Sequence, residues 1–154
     1  MNKKTQGFTL IEVLLVIGII AILAGAIIVA VNPGRQLANT RNTQRTTDAN
    51  SILNAITQNM TENQGKWSCT SSNYYSQSLP DATVTIVIDA ETNSSQINLS
   101  CLSPLYLSRV PVDPSLPSDS TTTGYRLIYN SSTGRIKICG VDNADLGKTI
   151  CVEK

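Results

Sequence analysis

Residues 3–12 read KKTQGFTLIE, and the apolar run that begins at Phe8 continues to Val31. Glu12 is the one charged residue inside this run. A carboxylate deep in a bilayer costs about 2.5 to 3.5 kcal/mol even on the lenient insertion scales. Because the sequence keeps an acid at so unfavourable a position, we expect Glu12 to have a specific function.

The apolar run is long enough to cross a membrane. As a helix, residues 8–31 would span about 36 Å, slightly more than the roughly 30 Å hydrocarbon core of a bilayer. The alternative is a cleaved secretory signal peptide, since Ala24, Gly25 and Ala26 resemble its small-residue cleavage site. The apolar core of a signal peptide has only about 7 to 15 residues, however, so the length favours a membrane-spanning helix.

The composition limits what the rest of the chain can do. The chain has 154 residues, a formal net charge of +1 and no histidine. One modest domain fits beside the membrane segment. Near-neutral charge gives no electrostatic reason to expect nucleic-acid binding, and the lack of histidine removes the commonest general base and metal ligand. No motif for a nucleophile, a phosphate loop or a zinc protease is present. We therefore expect no catalytic site, no metal and no cofactor.

All four cysteines lie beyond the apolar run: Cys69, Cys101, Cys139 and Cys151. An even number without CxxC spacing indicates two disulfides in an oxidising compartment, with unpaired structural thiols as the alternative. Basic residues flank both ends of the apolar run, so the positive-inside rule does not orient it. Paired cysteines do orient it, because they require the C-terminal part to be outside and hence the N-terminus to be cytoplasmic.

Residues 3–12 resemble the class III signal of type IV prepilins and of the pseudopilins of type II secretion. In that family a short basic leader ends in Gly, a membrane peptidase cuts before Phe and methylates the new N-terminus, and a Glu lies four residues beyond it. The resemblance implies a leader over residues 1–7, with cleavage between Gly7 and Phe8. It also implies N-methylation of Phe8.

For Glu12, the resemblance implies an assembly role. In an apolar filament core, its carboxylate and the N-terminal amine of a neighbouring subunit would neutralise each other, whereas either charge alone would be costly to bury. The alternative is an acid that reaches the membrane interface or stays protonated.

The resemblance further implies an α+β fold of the type IV pilin kind, with a long N-terminal helix packed on a small antiparallel β-sheet. Its parts would be a membrane and filament-core helix over residues 8–31, the second half of the helix over residues 32–64 and an extracytoplasmic β-sheet domain over residues 65–154. Pro33 lacks an amide donor and Gly34 has high backbone entropy, so we expect a helix break there. A membrane stop followed by a linker is the alternative.

The first part of the second half-helix is polar. Residues 39–48 contain no large apolar side chain, so we expect this stretch to be exposed or to pack against polar neighbours in a fibre. Arg45 and Asp48 are three residues apart and can pair locally for a few tenths of a kcal/mol, while stronger partners would come from adjacent subunits. A solvated helix face and a DNA-binding arginine stripe are the alternatives. From Ala49 to Met60, apolar residues at three- and four-residue spacing predict one buried face.

The remaining sequence predicts short strands. Gly65 is the expected helix stop, and a polar connector over residues 66–80 follows it. Alternation predicts strands near residues 83–88 and 97–99, a hairpin over residues 124–139 with its turn at 131–134, and a last strand around residue 151. Pro111, Pro114 and Pro117 argue against a continuous helix or a central strand in their region.

Four cysteines allow three disulfide pairings. We favour Cys139 with Cys151, which closes a short C-terminal loop, and Cys69 with Cys101, which tethers the connector to the sheet. A C-terminal loop bounded by a disulfide is common in pilins.

Some pseudopilins bind calcium in their C-terminal loop. Asp142, Asn143 and Asp145 form an acidic cluster in the corresponding part of this chain. The alternating oxygen ligands and bidentate Glu of an EF-hand are missing, so we expect a solvated turn and no metal.

The function implied by the resemblance is that of a structural subunit of a type IV pilus. The subunit would be stored in the inner or cytoplasmic membrane as a single-pass protein and would then polymerise into a homo-oligomeric cell-surface filament. Its partners would be a prepilin peptidase, a pilus assembly platform protein and an ATPase. A pseudopilin of a type II secretion system, a minor pilin acting as an extracellular binding module and a tethered enzyme are the alternatives.

Overall fold

A computed structural model describes residues 7–30, 32–69, 79–88, 95–140 and 144–154 of the chain. Within these ranges the helices and strands are α1 (Leu10–Ala30), α2 (Pro33–Glu62), β1 (Thr83–Val87), β2 (Gln96–Asn98), β3 (Thr122–Asn130), β4 (Arg135–Cys139) and β5 (Cys151–Glu153). Short 3-10 turns cover Ser100–Leu102 and Asp145–Gly147. The chain divides into two compact units, residues 1–37 and 38–154.

The first unit consists mainly of α1. Its segment Leu10–Ile28 is long and apolar enough to cross a membrane. α1 ends at Ala30, Val31 lies outside the described residues, and α2 begins at Pro33. Asn32 caps the new helix, because its Oδ1 accepts a hydrogen bond from the backbone N of Arg35 at 3.1 Å. Proline suits the first position of a helix, where its missing N–H would have no intrahelical acceptor.

The second unit contains a five-stranded sheet in the order β2-β1-β3-β4-β5. Three of the four strand pairs are antiparallel, as the sequence predicts, but β2 runs parallel to β1. The prediction of an antiparallel sheet is therefore confirmed for three strand pairs and wrong for the pair of β1 and β2 at this edge. The parallel register brings Ile97 beside Ile86, and both side chains are buried in the core.

The predicted hairpin is confirmed as β3, a turn over residues 131–134 and β4. Gly124, expected at the start of the hairpin, instead lies inside β3 with a φ of +79°. This left-handed backbone accompanies a shift of register between β3 and β1. The hydroxyl of Thr123 donates to the carbonyl oxygen of Ile86 at 2.8 Å beside the irregularity. Glycine is suited to this position because it has no Cβ to strain the backbone.

One hydrophobic core joins α2 to the sheet. The helix contributes the apolar face that the spacing predicts, and the strands contribute their inward side chains. The largest fully buried side chains in this core are Ile52, Ile56, Val84, Ile86, Ile97, Leu99, Leu102, Tyr125, Leu127 and Ile138. The α+β fold with a helix packed on a small sheet is confirmed. Residues 103–121, all of them described, form neither a helix nor a strand, in agreement with their prolines.

The C-terminal end of α2 lies close to the predicted stop. The helix ends at Glu62, and Gln64 and Gly65 adopt left-handed backbones with φ of 57° and 81°. The backbone N of Gly65 donates to the carbonyl oxygen of Met60 at 2.8 Å, which satisfies one of the last carbonyls of the helix. Trp67 then packs partly against the core. The connector tyrosines at positions 74 and 75 lie outside the described residues.

The structure contains two disulfides. Cys69 is bonded to Cys101, which joins the segment after α2 to the 3-10 turn Ser100–Leu102. Cys139 is bonded to Cys151, and these residues lie directly opposite each other in β4 and β5. The second bond therefore fastens the edge strand β5 to the sheet.

Candidate functional site

α1 exposes apolar side chains on every side. Each large apolar residue between Leu10 and Ile28 is at least 51% exposed, and Phe8, just before the helix, is 88% exposed. A soluble helix normally hides one apolar stripe against a core, whereas a helix that is apolar all round needs apolar surroundings. α1 therefore requires a bilayer or other helices as neighbours.

Gly7 and Phe8 lie in a short non-helical segment immediately before α1. Both are exposed, and a Cβ placed on Gly7 would meet no described atom within 4 Å. Leader residues 1–6 lie outside the described residues. The exposed Gly7–Phe8 bond is accessible to a peptidase, and cleavage there stays a prediction.

Glu12 lies in the first turn of α1, where its side chain caps the helix. Its Oε2 accepts hydrogen bonds from the backbone N of Thr9 at 3.1 Å and from Thr9 Oγ1 at 3.0 Å. In return, Thr9 Oγ1 accepts a bond from the backbone N of Glu12 at 3.3 Å. This reciprocal arrangement is a capping box. A carboxylate at this end of a helix also interacts favourably with the helix dipole.

The capping role of Glu12 was missed at the level of sequence, although the spacing T-x-x-E over residues 9–12 is its signature. Both partners, Thr9 and Glu12, lie after the Gly7–Phe8 bond, so cleavage at that bond would leave the capping box intact. Oε1 of Glu12 has no hydrogen-bond partner among the described residues. Its pairing with the amine of another subunit stays a prediction.

A second cluster of charged side chains lies inside the 38–154 unit and is centred on Arg45. The Arg45 side chain is 3% exposed and that of Asp113 is fully buried. Arg45 Nε donates to Asp113 Oδ2 at 2.7 Å, and Arg45 Nη2 donates to Asp113 Oδ1 at 3.0 Å. Ser115 completes the environment, since its backbone N donates to Asp113 Oδ1 at 2.8 Å. A buried charge pair is tolerated only when its remaining hydrogen-bonding groups are also satisfied.

Asp145 joins the C-terminal loop to the same cluster. Arg41 holds its carboxylate with Nε at 2.7 Å and Nη2 at 2.8 Å, and Arg45 Nη1 donates to Oδ2 at 2.8 Å. The side chain of Asn42 donates to the backbone carbonyl of Asp145 at 2.6 Å and accepts from Arg45 Nη1 at 2.9 Å. The Arg45 guanidinium therefore joins α2 to two distant segments. One is the segment that contains Asp113, and the other is the C-terminal loop that contains Asp145.

The contacts of this cluster shift the pKa values of its acids. Hydrogen bonds from Arg41 and Arg45 hold the pKa of Asp145 well below its usual range. Burial alone would raise the pKa of Asp113, but the hydrogen bonds from Arg45 and Ser115 bring it below the usual value. The bond to Asp113 also raises the pKa of Arg45, so the guanidinium stays charged. Both pairs are therefore ionic at neutral pH.

Most of residues 39–48 are exposed, as expected, but the expectation is wrong at Arg45. Arg45 is buried within its own chain, and its acidic partners are Asp113 and Asp145, not Asp48. Asp48 instead accepts a hydrogen bond from the hydroxyl of Tyr125 at 3.0 Å. Burial raises the pKa of Asp48.

The signal that could have located the buried arginine was the helical period itself. The buried positions continue from the apolar face toward the N-terminus of α2 at spacings of three and four: Ala38, Asn42, Arg45, Ala49, Ile52 and Ile56. Arg45 occupies the inward stripe even though it is charged. No spacing in the sequence identifies its partners, which lie 68 and 100 residues further on.

The acidic C-terminal cluster is only partly described. Asp142 and Asn143 lie outside the described residues, and both carboxylate oxygens of Asp145 accept hydrogen bonds from arginines. Asp145 is thus engaged in ion pairs with Arg41 and Arg45 of its own chain. In the part of the chain that the structure describes, no three acidic, cysteine or histidine residues are grouped as metal ligands.

The N-terminal part of the chain is similar to a known protein family. Residues 2–28 match the family model of the prokaryotic N-terminal methylation motif. No curated protein and no solved structure gave a match. The matched residues include Gly7, Phe8 and Glu12 and most of α1. The chain therefore carries the class III prepilin signal of type IV pilins and pseudopilins.

Proposed function

We propose that this chain is a structural subunit of a type IV pilus. The observation that carries the proposal is the prepilin signal joined to a helix with apolar side chains exposed all round. In the membrane, lipid covers these side chains. In a filament, α1 helices of other subunits cover them, so a single helix serves first as an anchor and then as filament core.

The proposed maturation begins at the Gly7–Phe8 bond. A prepilin peptidase removes residues 1–7 and methylates the amine of Phe8. The mature side chains then comprise ten basic and eleven acidic groups, so mutual repulsion does not oppose close packing. An assembly platform protein and an ATPase then move the subunit from the membrane into the fibre, with residues 38–154 on the outer side.

Glu12 has two functions in this proposal. Its Oε2 caps its own helix through Thr9, as described above. Its negative charge pairs with the Phe8 amine of a neighbouring subunit when both enter the apolar core. The pair fixes the register of subunits because a subunit docked one step out of place would leave both charges unpaired and buried.

A matched pair of variants separates the two functions. Glu12→Gln keeps an oxygen that can cap the helix but removes the charge, whereas Thr9→Val removes the cap and keeps the charge. Both variants should still be processed, which mass spectrometry of the chain beginning at Phe8 will detect. Glu12→Gln should abolish filaments that the wild type forms, and Thr9→Val should reduce them only modestly. A normal yield of sheared filament from Glu12→Gln would contradict the pairing.

The second candidate function is that of a type II secretion pseudopilin, which carries the same signal. The commitment of Asp145 to Arg41 and Arg45 supports the pilus, since a calcium-binding C-terminal loop of the kind found in some pseudopilins would need that carboxylate free. Neighbouring genes discriminate the two: a retraction ATPase favours the pilus, and an outer-membrane secretin together with secretion genes favours the pseudopilin. Sheared surface fibres that lack this chain would contradict the proposal.

A further inference from the structure

Four asparagines of the chain begin the pattern Asn-x-Ser or Asn-x-Thr, which is the acceptor pattern for N-linked glycans on exported proteins. They are Asn59, Asn93, Asn98 and Asn130. The pattern alone is weak evidence, because a chain rich in Asn, Ser and Thr contains it by chance. In a folded chain, the acceptor asparagine must also be exposed and its amide nitrogen must be free of other hydrogen bonds.

Two of the four asparagines are buried. Asn59 lies inside α2 and is 4% exposed, and its Nδ2 donates to the carbonyl oxygen of Ser68 at 2.7 Å. Asn98 is 6% exposed, and its Oδ1 accepts a hydrogen bond from the backbone N of Ser100 at 2.9 Å. Asn93 lies outside the described residues. Burial therefore excludes a glycan at Asn59 and Asn98 of the folded chain.

Asn130 has both properties of an acceptor. It is the last residue of β3, directly before the hairpin turn over residues 131–134, and it is exposed. Its Oδ1 accepts hydrogen bonds from the backbone N of Ser132 at 3.0 Å and of Thr133 at 3.2 Å. These bonds fix the side chain, whereas its Nδ2 donates to no described residue. The amide nitrogen is therefore accessible at a fixed position.

The turn that follows Asn130 is itself held in place. Asp81 Oδ1 accepts from the backbone N of Ser131 at 3.1 Å, and Asp81 Oδ2 accepts from Ser131 Oγ at 2.6 Å. Ser132 is the hydroxyl residue of the pattern, and its Oγ has no hydrogen-bond partner among the described residues. A groove of about 400 Å³ is lined in part by Asn130 and leaves room for a sugar.

We propose that Nδ2 of Asn130 is the attachment site of an N-linked glycan. The donor is an oligosaccharide joined through pyrophosphate to a polyprenyl lipid, and an extracytoplasmic oligosaccharyltransferase catalyses the transfer. Nδ2 attacks the anomeric carbon of the first sugar, so that a C–N bond forms and the C–O bond to the pyrophosphate breaks. The lipid pyrophosphate leaves with the electron pair, and Nδ2 loses one proton.

The two backbone N–H groups at Oδ1 favour this step. Loss of the proton from Nδ2 delocalises negative charge onto Oδ1, and N–H donors already aimed at that oxygen stabilise the charge. The proposal rests on the export of residues 38–154 that the proposed function contains, because the transferase acts outside the cytoplasm.

The tryptic peptide of residues 127–135 tests the proposal on the full chain. Trypsin cuts after Arg126 and Arg135, so this peptide contains Asn130 and none of the other three asparagines of the pattern. The chain is purified from the membranes and sheared fibres of the cells that make it. Electron-transfer fragmentation, which preserves sugar bonds, should locate a glycan on Asn130. The peptides that contain Asn59 and Asn98 should carry no glycan at those residues.

Variants of the turn separate an N-linked glycan from one on a hydroxyl. Ser132→Ala removes the hydroxyl of the pattern but keeps the hydrogen bonds to Asn130, since Ser132 contributes its backbone N to them. This variant should lose the glycan, and Ser132→Thr should keep it. Thr133→Ala removes a neighbouring hydroxyl outside the pattern and is the matched control, which should also keep it. Both disulfides in a non-reduced digest verify that each variant is folded.

The outcomes separate this proposal from the proposed function. If all four cysteines of the wild type are reduced, the chain is not exported and both proposals fail. If both disulfides are formed and peptide 127–135 carries no glycan on Asn130, only the glycan proposal is overturned. A sugar on a hydroxyl of this peptide, without one on Asn130, also overturns it. If the chain is exported but absent from sheared fibres, the pilus proposal fails, and the peptide from the membrane-bound chain still decides the glycan.

Discussion

The two units of this chain solve the problem of apolar surface in opposite ways. In the 38–154 unit, α2 and the sheet bury their apolar side chains against each other, and two disulfides and a buried arginine hold the loops in position. In the 1–37 unit, α1 leaves its apolar side chains exposed on every side. The 1–37 unit therefore needs other molecules to cover its apolar side chains, whereas the 38–154 unit covers its own. The part of the chain that needs apolar surroundings is therefore separate from the part that folds around its own core.

Separating the two units should have the largest effect. We expect residues 38–154, exported with an unrelated secretory signal, to fold as a soluble monomer with both disulfides, since its core includes no residue of α1. This fragment should be absent from filaments of the full-length chain. Size-exclusion chromatography and analysis of sheared fibres measure the two results. An unfolded fragment, or one that joins the fibre, would contradict the independence of the two units.

Within the 38–154 unit, removal of the acid opposite Arg45 should cost the most stability. Asp113→Ala leaves a buried guanidinium short of its closest partner, for which we expect a loss of about 3 to 5 kcal/mol of unfolding free energy. Denaturant titration followed by the fluorescence of Trp67 measures it. Asp81→Ala is the matched control, because Asp81 lies at the surface and, among the described residues, its side chain accepts hydrogen bonds from Ser131 alone. Equal losses of unfolding free energy from the two variants would show that the buried ion pair stabilises the unit no more than a surface hydrogen bond does.

The disulfides should contribute somewhat less than the buried pair. Each bond is expected to stabilise the unit by about 2 to 4 kcal/mol. In the chain-entropy account, replacing both Cys69 and Cys101 by serine should cost more than the same change at Cys139 and Cys151, because the loops span 32 and 12 residues. The denaturant midpoints of the two double variants measure which loss of stability is larger. A Cys69–Cys139 peptide in a non-reduced digest would contradict both pairings.

The pH dependence of the C-terminal loop should be the smallest effect. The pKa of Asp145 is lowered in the folded chain from the usual 3.8, so the unfolded chain takes up the proton first as the pH falls. The stability that Asp145 contributes is therefore complete above about pH 5 and is lost progressively below it. Thermal midpoints of the wild type and Asp145→Asn should converge as the pH falls from 7 toward 3. A gap that widens on acidification would contradict this.

The fold was largely predictable because its main elements follow from periodicity. The apolar run, the inward face from Ala49 to Met60 and the hairpin of β3 and β4 are local patterns that sequence spacing reveals. The strand near residues 97–99 was predicted, but its parallel direction was not predictable, since three residues carry no directional signal. The register shift at Gly124 was not predictable either. It depends on how β3 pairs with β1, and the spacing of residues within β3 carries no information about that pairing.

The candidate sites divide in the same way. The signal at Gly7, Phe8 and Glu12 is local, and the comparison with the methylation motif covers it. The cluster around Arg45 was missed because its acids come from distant segments, and a charged residue between polar neighbours normally indicates an exposed helix face. Its place on the inward stripe was the one available clue.

Arg45 also constrains the order in which the chain acquires its structure. Its two acidic partners follow it by 68 and 100 residues, so α2 is made long before the groups that neutralise its buried charge exist. Contacts so distant in sequence require large loops to close and slow the folding of a domain. The ion pairs of Arg45 therefore cannot all form before the segment that carries Asp145 has been made.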